Sequence, residues 1–132
     1  MILLPYPIST NRYWRTFRGR MVRSSLALEY KDQVQDAAQE AGLELLGCCV
    51  QVEMVLHPVR PKDWIKREKR DPRWVLGVRR IDIDNAQKVA IDALQGTAYE
   101  NDRQITSLSI CLGNAIEDGG LSVVITPDIT WG

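Results

Sequence analysis

The sequence predicts an α+β fold, a small mixed β-sheet carrying two helices in the order β-α-β-α-β-β. Three observations lead there. Two stretches, residues 24–41 and 84–95, repeat apolar side chains at helical spacing. Three others, residues 49–56, 105–112 and 121–126, alternate apolar and polar side chains with the two-residue period of a half-buried strand. A length of 132 residues, 45% hydrophobic and 26% charged, suits one domain over residues 1–132 with a core that needs no disulfides.

Taken in order, Ile2, Leu3 and Leu4 read as a short strand stopped by Pro5 and Pro7. Residues 9–23 lack periodicity and predict a long loop, a length uncommon outside functional loops. Ser24 or Ser25 caps a helix running to about Ala41, with Gly42 as its stop. Its core face is Leu26, Tyr30, Val34, Ala37, Ala38 and Ala41. In the next strand Val50, Val52, Met54 and Leu56 share one face, opposite Gln51 and Glu53. After a basic stretch, an extended segment from Val78 to Ile83 leads into a second helix capped by Asp84. Ala86, Val89, Ala90, Ala93 and Leu94 form its stripe and Gly96 ends it. The last two strands join as a hairpin through residues 114–120, which end Asp118-Gly119-Gly120.

Several chemistries are excluded. No run approaches the roughly 18 apolar residues of a membrane span, and no charged start leads into an apolar secretion core, so a cytoplasmic protein with no membrane partner is expected. Cys48 and Cys49 are adjacent in what reads as a strand and point to opposite faces, so they form no zinc site with Cys111 and are expected as reduced, packed thiols. His57, the single histidine, closes a strand beside Pro58 without a partner at ligand spacing. Most triad chemistry is thereby removed, while Asp, Glu and Lys stay available.

Lys plus Arg and Asp plus Glu number 17 each, which argues against a simple polyanion binder. The balance hides an asymmetry: residues 1–80 carry 15 basic and 9 acidic side chains, and residues 81–132 carry 2 and 8. Arg12, Arg15, Arg18, Arg20 and Arg23 alternate with Tyr13, Trp14 and Phe17 in a stretch with no acid. Between Arg60 and Arg80 lie nine Lys or Arg against Asp63, Glu68 and Asp71, with Trp64 and Trp74 among them. Arginine interleaved with aromatics suits phosphate contact and stacking on bases; a solvated loop face is the plain alternative.

The densest segment is Arg79-Arg80-Ile81-Asp82-Ile83-Asp84-Asn85-Ala86-Gln87-Lys88. In an extended chain Asp82 and Asp84 point to one side, about 6 to 7 Å apart. Lys88 lies one helical turn beyond Asp84, and Asp102 follows the helix. Converging carboxylates repel one another, and a divalent cation cancels that repulsion; magnesium takes a few carboxylates and keeps waters for phosphate oxygens. Such a site activates water against a phosphodiester. The simpler reading makes Asp84 a helix cap, Asp82 a surface residue and Lys88 an i,i+4 partner.

Three blocks resemble the RusA-type Holliday junction resolvases, small dimeric endodeoxyribonucleases often encoded by prophages. They are Pro5-Tyr6-Pro7-Ile8-Ser9-Thr10-Asn11-Arg12-Tyr13-Trp14 continuing to Arg18-Gly19-Arg20, then Asp82-Ile83-Asp84-Asn85-Ala86-Gln87-Lys88 followed by Ile91-Asp92-Ala93-Leu94, and Asn101-Asp102-Arg103-Gln104-Ile105. The resemblance implies a homodimeric, magnesium-dependent nuclease, manganese being an alternative metal, that binds branched DNA and makes paired cuts in a four-way junction during recombination and repair. Asp82, Asp84 and Asp102 match the metal-binding carboxylates and Lys88 the catalytic lysine. Asn11, Arg12, Arg15, Arg18, Arg20, Arg79 and Arg80 are the DNA-binding residues expected on this reading. Asn101 stands where family members often carry a further aspartate, and residues 62–78 exceed the family's usual connection. The rivals are a non-catalytic nucleic-acid-binding module of a phage recombination system and a nuclease for other branched DNA.

Overall fold

The computed structural model describes residues 1–131. In chain order it runs through β1 (Ile2–Leu4), α1 (Thr10–Tyr13), β2 (Trp14–Phe17), β3 (Arg20–Arg23), α2 (Ser25–Glu40), β4 (Val50–His57), α3 (Trp64–Arg70), α4 (Ile83–Leu94), β5 (Ile105–Leu112) and β6 (Gly120–Pro127). The α+β class and the mixed sheet agree with the sequence reading. Four α-helices among the described residues replace the two expected.

The main sheet has the order β1-β6-β4-β5, with β4 parallel to β5 and antiparallel to β6. Met54 lies opposite both Ile110 and Val123, so the alternation of β4 stays in phase with each neighbour. Val50, Val52, Met54 and Leu56 are buried with Leu121 and Val123. Against them pack Ala27, Tyr30, Val34 and Ala38 of α2 and Ala86, Val89, Ala90, Ala93 and Leu94 of α4. Each large aliphatic side chain fully buried in this layer contributes about 1.5–3 kcal/mol.

Four expectations about the elements are corrected, and one about the cysteines follows below. Residues 9–23 are not a loop: they form α1 and the antiparallel β2–β3 hairpin, turned at Arg18 (φ 50°) and Gly19 (φ 75°). Two consecutive residues at positive φ make the primed turn of a two-residue hairpin, which glycine adopts without strain. The hairpin escaped the pattern because most of its side chains are exposed, so no alternation marks a buried face. Secondly, β5 and β6 are not a hairpin but flank β4 on opposite sides. Their connection crosses the end of β4, where a Cβ on Gly113 would stand 2.5 Å from Val55 Cγ1. Thirdly, α4 is capped by Asp82 in extended geometry, and Asp84 sits in its first helical turn. The two acids are therefore not alternate residues of an extended segment on one side. Lastly, α2 buries Ala27 and leaves Leu26 and Ala41 exposed.

Ser24 is the cap of α2, accepting a hydrogen bond from the Ala27 amide at 3.1 Å. Cys48 and Cys49 precede β4 rather than lying in it; Cys48 and Cys111 are exposed, not packed, and all three thiols are free. His57 is satisfied at its strand end by Asn114 O at 2.9 Å and Ser122 Oγ at 2.8 Å. No helix among the described residues is long and apolar enough to cross a membrane.

Candidate functional site

The N-terminus of α4 holds three of the four expected catalytic side chains. Asp82 is its cap residue, yet its carboxylate makes no hydrogen bond to the helix amides. Asp84 lies in the first turn, where the positive end of the helix dipole favours an acid. Lys88 is one turn further along the same face, and all three side chains are exposed. Among the described residues the ion pairs are Arg23–Asp92 and Arg67–Asp63, so Asp84 and Lys88 form no i,i+4 bridge. Neither capping nor local pairing uses up these charges.

The N-terminal segment fixes this end of the helix. Tyr6 Oη accepts the Ile81 amide N–H at 2.7 Å, immediately before Asp82. Thr10 donates through Oγ1 to Asn85 Oδ1 at 2.7 Å. Further along α4, Asp92 accepts from Arg23 through Nε at 2.6 Å and Nη2 at 2.7 Å, and from the Tyr13 hydroxyl. Lys31 of α2 donates to the Asp92 and Gln95 carbonyls at 2.9 and 2.7 Å, at the C-terminal end of α4. Burial works to raise the Asp92 carboxyl, but the Arg23 guanidinium, the Tyr13 hydroxyl and Lys31 outweigh it and hold it below the ordinary range. Burial, with Asp92 beside it, pushes the Tyr13 phenol well up. Burial also lowers the Lys31 ammonium.

A surface depression of about 540 Å³ lies over this clamp, lined by Arg12, Arg79, Arg80, Asp82 and Asn85 with Tyr6 at its wall. Three guanidinium-bearing residues from two distant parts of the chain thus meet one of the expected catalytic acids. Arg80 donates from Nη1 to the Ile81 carbonyl at 3.3 Å, and its Nε is buried with no acceptor among the described residues. A buried donor left unmet costs about 1–3 kcal/mol.

Asp102 lies elsewhere. It opens the 3-10 turn Asp102–Gln104, held by a capping box between Asn101 and Gln104, and lines a second depression of about 290 Å³ with Ile91, Ile105 and Leu108. Among the described residues no three acidic, histidine or cysteine side chains come close enough to share a cation. Carboxylate oxygens are the right donors for a hard divalent ion, but one chain alone does not gather the three that the sequence suggested.

Of the remaining expected DNA contacts, Asn11 is exposed on α1, and Arg15, Arg18 and Arg20 are exposed on the β2–β3 hairpin. The guanidiniums of Arg15 and Arg18 lie 5.2 and 5.3 Å from the Phe17 ring centre. Arg23 belongs to the Asp92 network instead. Sequence reasoning gave no role to Tyr6, Thr10, Asn85 or Asp92, and it offered Tyr13 among the aromatics for stacking on bases, whereas the structure buries that side chain. One clue was available: Asp92 is an acid whose chain neighbours are Ile91, Ala93 and Leu94.

The profile of the family described as "Endodeoxyribonuclease RusA" matches residues 5–126. A protein of Escherichia coli strain K12 named "Crossover junction endodeoxyribonuclease RusA" is 31% identical over 128 residues, covering 95% of this chain and 92% of its own length. Its namesake in Enterobacteria phage 82 is 30% identical over 128 residues, with the same coverage. That of Escherichia coli O139:H28 is 29% identical over 126 residues. On a match spanning nearly its whole length, the chain belongs to the RusA endodeoxyribonuclease family.

Proposed function

We propose that this protein is a divalent-metal-dependent endodeoxyribonuclease, acting as a homodimer in the cytoplasm, that resolves four-way DNA junctions by paired phosphodiester cuts. The observation that carries this reading is the depression in which Arg12, Arg79 and Arg80 face the same space as Asp82. Three guanidiniums grip a phosphate through its oxygens, and the carboxylate stands where a water would be directed at phosphorus. Arg80, lining the depression beside Asp82, supplies one of these guanidiniums. Lys88, exposed one turn from Asp84, is placed to stabilise charge building on the reacting phosphate.

That no three acids gather around one cation among the described residues supports a site completed across the dimer, with Asp82 and Asp84 from one copy and Asp102 from the other. A magnesium or manganese ion held there would supply Lewis-acid charge and a more acidic water. Dimeric action also matches the near two-fold symmetry of a four-way junction, which needs two equivalent cuts. The hairpin arginines hold the arms through phosphates, favouring shape over sequence.

Purified protein incubated with labelled four-way junction and linear duplex, with and without magnesium, tests the activity. Metal-dependent cutting confined to the junction is the expected result, and binding without cutting under all metal conditions would sink it. Mixing Asp82→Asn and Asp102→Asn chains tests the shared site. One site in each mixed dimer regains its full acid set and nicks the junction, whereas a site built within one chain stays dead.

A further inference from the structure

Residues 62–78 take no part in the site above, yet they hold much of the positive charge. Two of their three acids are engaged locally, and the third, Glu68, lies on the opposite side of α3 from the lysines. Asp63 Oδ1 accepts from Arg67 Nε at 2.8 Å, and Asp71 Oδ1 accepts from the Arg73 amide at 2.9 Å. Trp64 is half-buried, and the Arg60 guanidinium lies 4.5 Å from the centre of its ring. At about 100° per residue, Lys66, Lys69 and Arg70 gather on one side of α3, opposite Trp64 and Glu68. All three are exposed, and none forms an ion pair among the described residues. The helix therefore turns an uncompensated cationic face to solvent.

Both ends of the insert are rooted at the rim of the depression. On one side Val59 bridges to Ile116 and the Arg60 amide donates to the Ile116 carbonyl at 2.8 Å. On the other, Arg79 and Arg80 line the same depression as Val59 and Asp82. The cationic helix is thus carried by the two strands of chain that border the candidate phosphate site.

We infer that Lys66, Lys69 and Arg70 form a second phosphate-contact surface, which grips the backbone of a DNA arm whose reacting phosphate occupies the depression. The inference rests on the DNA-binding reading above and extends it to a segment that reading leaves idle. The three cations of the face outnumber the one exposed apolar side chain at its border, Ile65, which suits a polyanion better than a packed protein contact, and phosphate contacts carry no base information.

The test is fluorescence anisotropy of labelled four-way junctions of two unrelated sequences, titrated with wild-type protein at several salt concentrations. A Lys66→Ala/Lys69→Ala/Arg70→Ala variant is run beside an Arg15→Ala/Arg18→Ala/Arg20→Ala variant. The expected result for the α3 variant is binding weaker by roughly tenfold or more at 100 mM salt, with a salt slope shallower by about two to three, for both sequences alike. Lys66→Arg/Lys69→Arg keeps the wild-type slope. Unchanged affinity and slope in the α3 variant, while the hairpin variant weakens, overturns the inference and leaves the DNA reading standing. No binding by wild type under any salt overturns both. Sedimentation distinguishes a third outcome: a variant that falls to monomer makes this face a contact between copies, and the inference fails.

Discussion

The Arg23 guanidinium meets the Asp92 carboxylate twice, Nε to Oδ2 at 2.6 Å and Nη2 to Oδ1 at 2.7 Å, and so ties the arginine hairpin to the helix that presents Asp82, Asp84 and Lys88. Tyr13 joins the same carboxylate from the short helix α1. The element expected to hold DNA and the element expected to cut it are therefore fastened at one acid.

Replacing that acid should loosen both. Asp92→Asn leaves Arg23 without its counter-charge in a half-buried setting, and a loss of about 2–3 kcal/mol in urea unfolding is expected. Stability should also follow pH in a defined way. The Asp92 carboxyl is held below its ordinary range, so its contribution is full above about pH 4 and falls as pH drops through the lowered value. The Tyr13 phenol is raised, so its contribution is full below about pH 10 and falls as pH climbs beyond. Unfolding free energies measured across pH should flatten at the acid end in Asp92→Asn; an unchanged acid limb would refute the assignment.

Tyr6→Phe removes a single oxygen. It leaves the Ile81 amide without its acceptor just before Asp82, at an expected cost of about 1 kcal/mol in stability. Junction cleavage should fall further than junction affinity, because the hydroxyl sets the chain direction into the acid rather than the cationic lining. Parallel single-turnover and anisotropy measurements check this.

Asp82→Asn and Asp84→Asn should abolish cutting while keeping or improving junction binding, since each removes negative charge beside a phosphate. Lys88→Ala should lose most turnover for want of charge stabilisation at the reacting phosphate. Magnesium or manganese should raise the wild-type melting temperature by mass action and do so less in Asp84→Asn. Wild-type cutting rates in these variants would remove the acids from the chemistry.

Neutralising Arg15 and Arg18 should make the salt dependence of junction binding shallower by about one to two units of slope, because fewer counterions are released. The effect should be the same for junctions of different sequence. An unchanged slope in a variant with wild-type circular dichroism would take the hairpin out of the interface.

Much of this architecture is legible in the sequence where one face of an element is buried. The alternation of Val50, Val52, Met54 and Leu56 and the stripe from Ala86 to Leu94 are both in the core. The β2–β3 hairpin is not legible, because Arg15, Thr16, Phe17, Arg20 and Met21 are all exposed and carry no periodic contrast. The neighbours of β4 are not legible either: alternation says that a strand is half-buried but not which strand lies beside it. At the site, residue types announced Asp82, Asp84, Lys88 and Asp102 as a group. Sequence spacing could not show that Asp82, Asp84 and Asp102 do not gather around one cation among the described residues, since that depends on how β5 follows α4. Tyr6 and Asn85 were hidden for another reason, because their partners lie 75 residues away.

Placing β4 between β5 and β6 has a consequence for the birth of the molecule. A chain emerging from the ribosome makes β1 and β4 early, but β6, which must lie between them, is made last. Until then the edge of β4 that β6 will cover stays bare even after β5 has paired on the other side, and α2 and α4 lack a finished sheet to cover. Such long-range pairing is slow to form and leaves strand edges exposed to aggregation or to chaperones while synthesis continues. The helix bearing the acids rests on α1, α2, β4 and β5, so a half-made copy can seat its charged residues on a sheet that still lacks the strand joining β1 to β4.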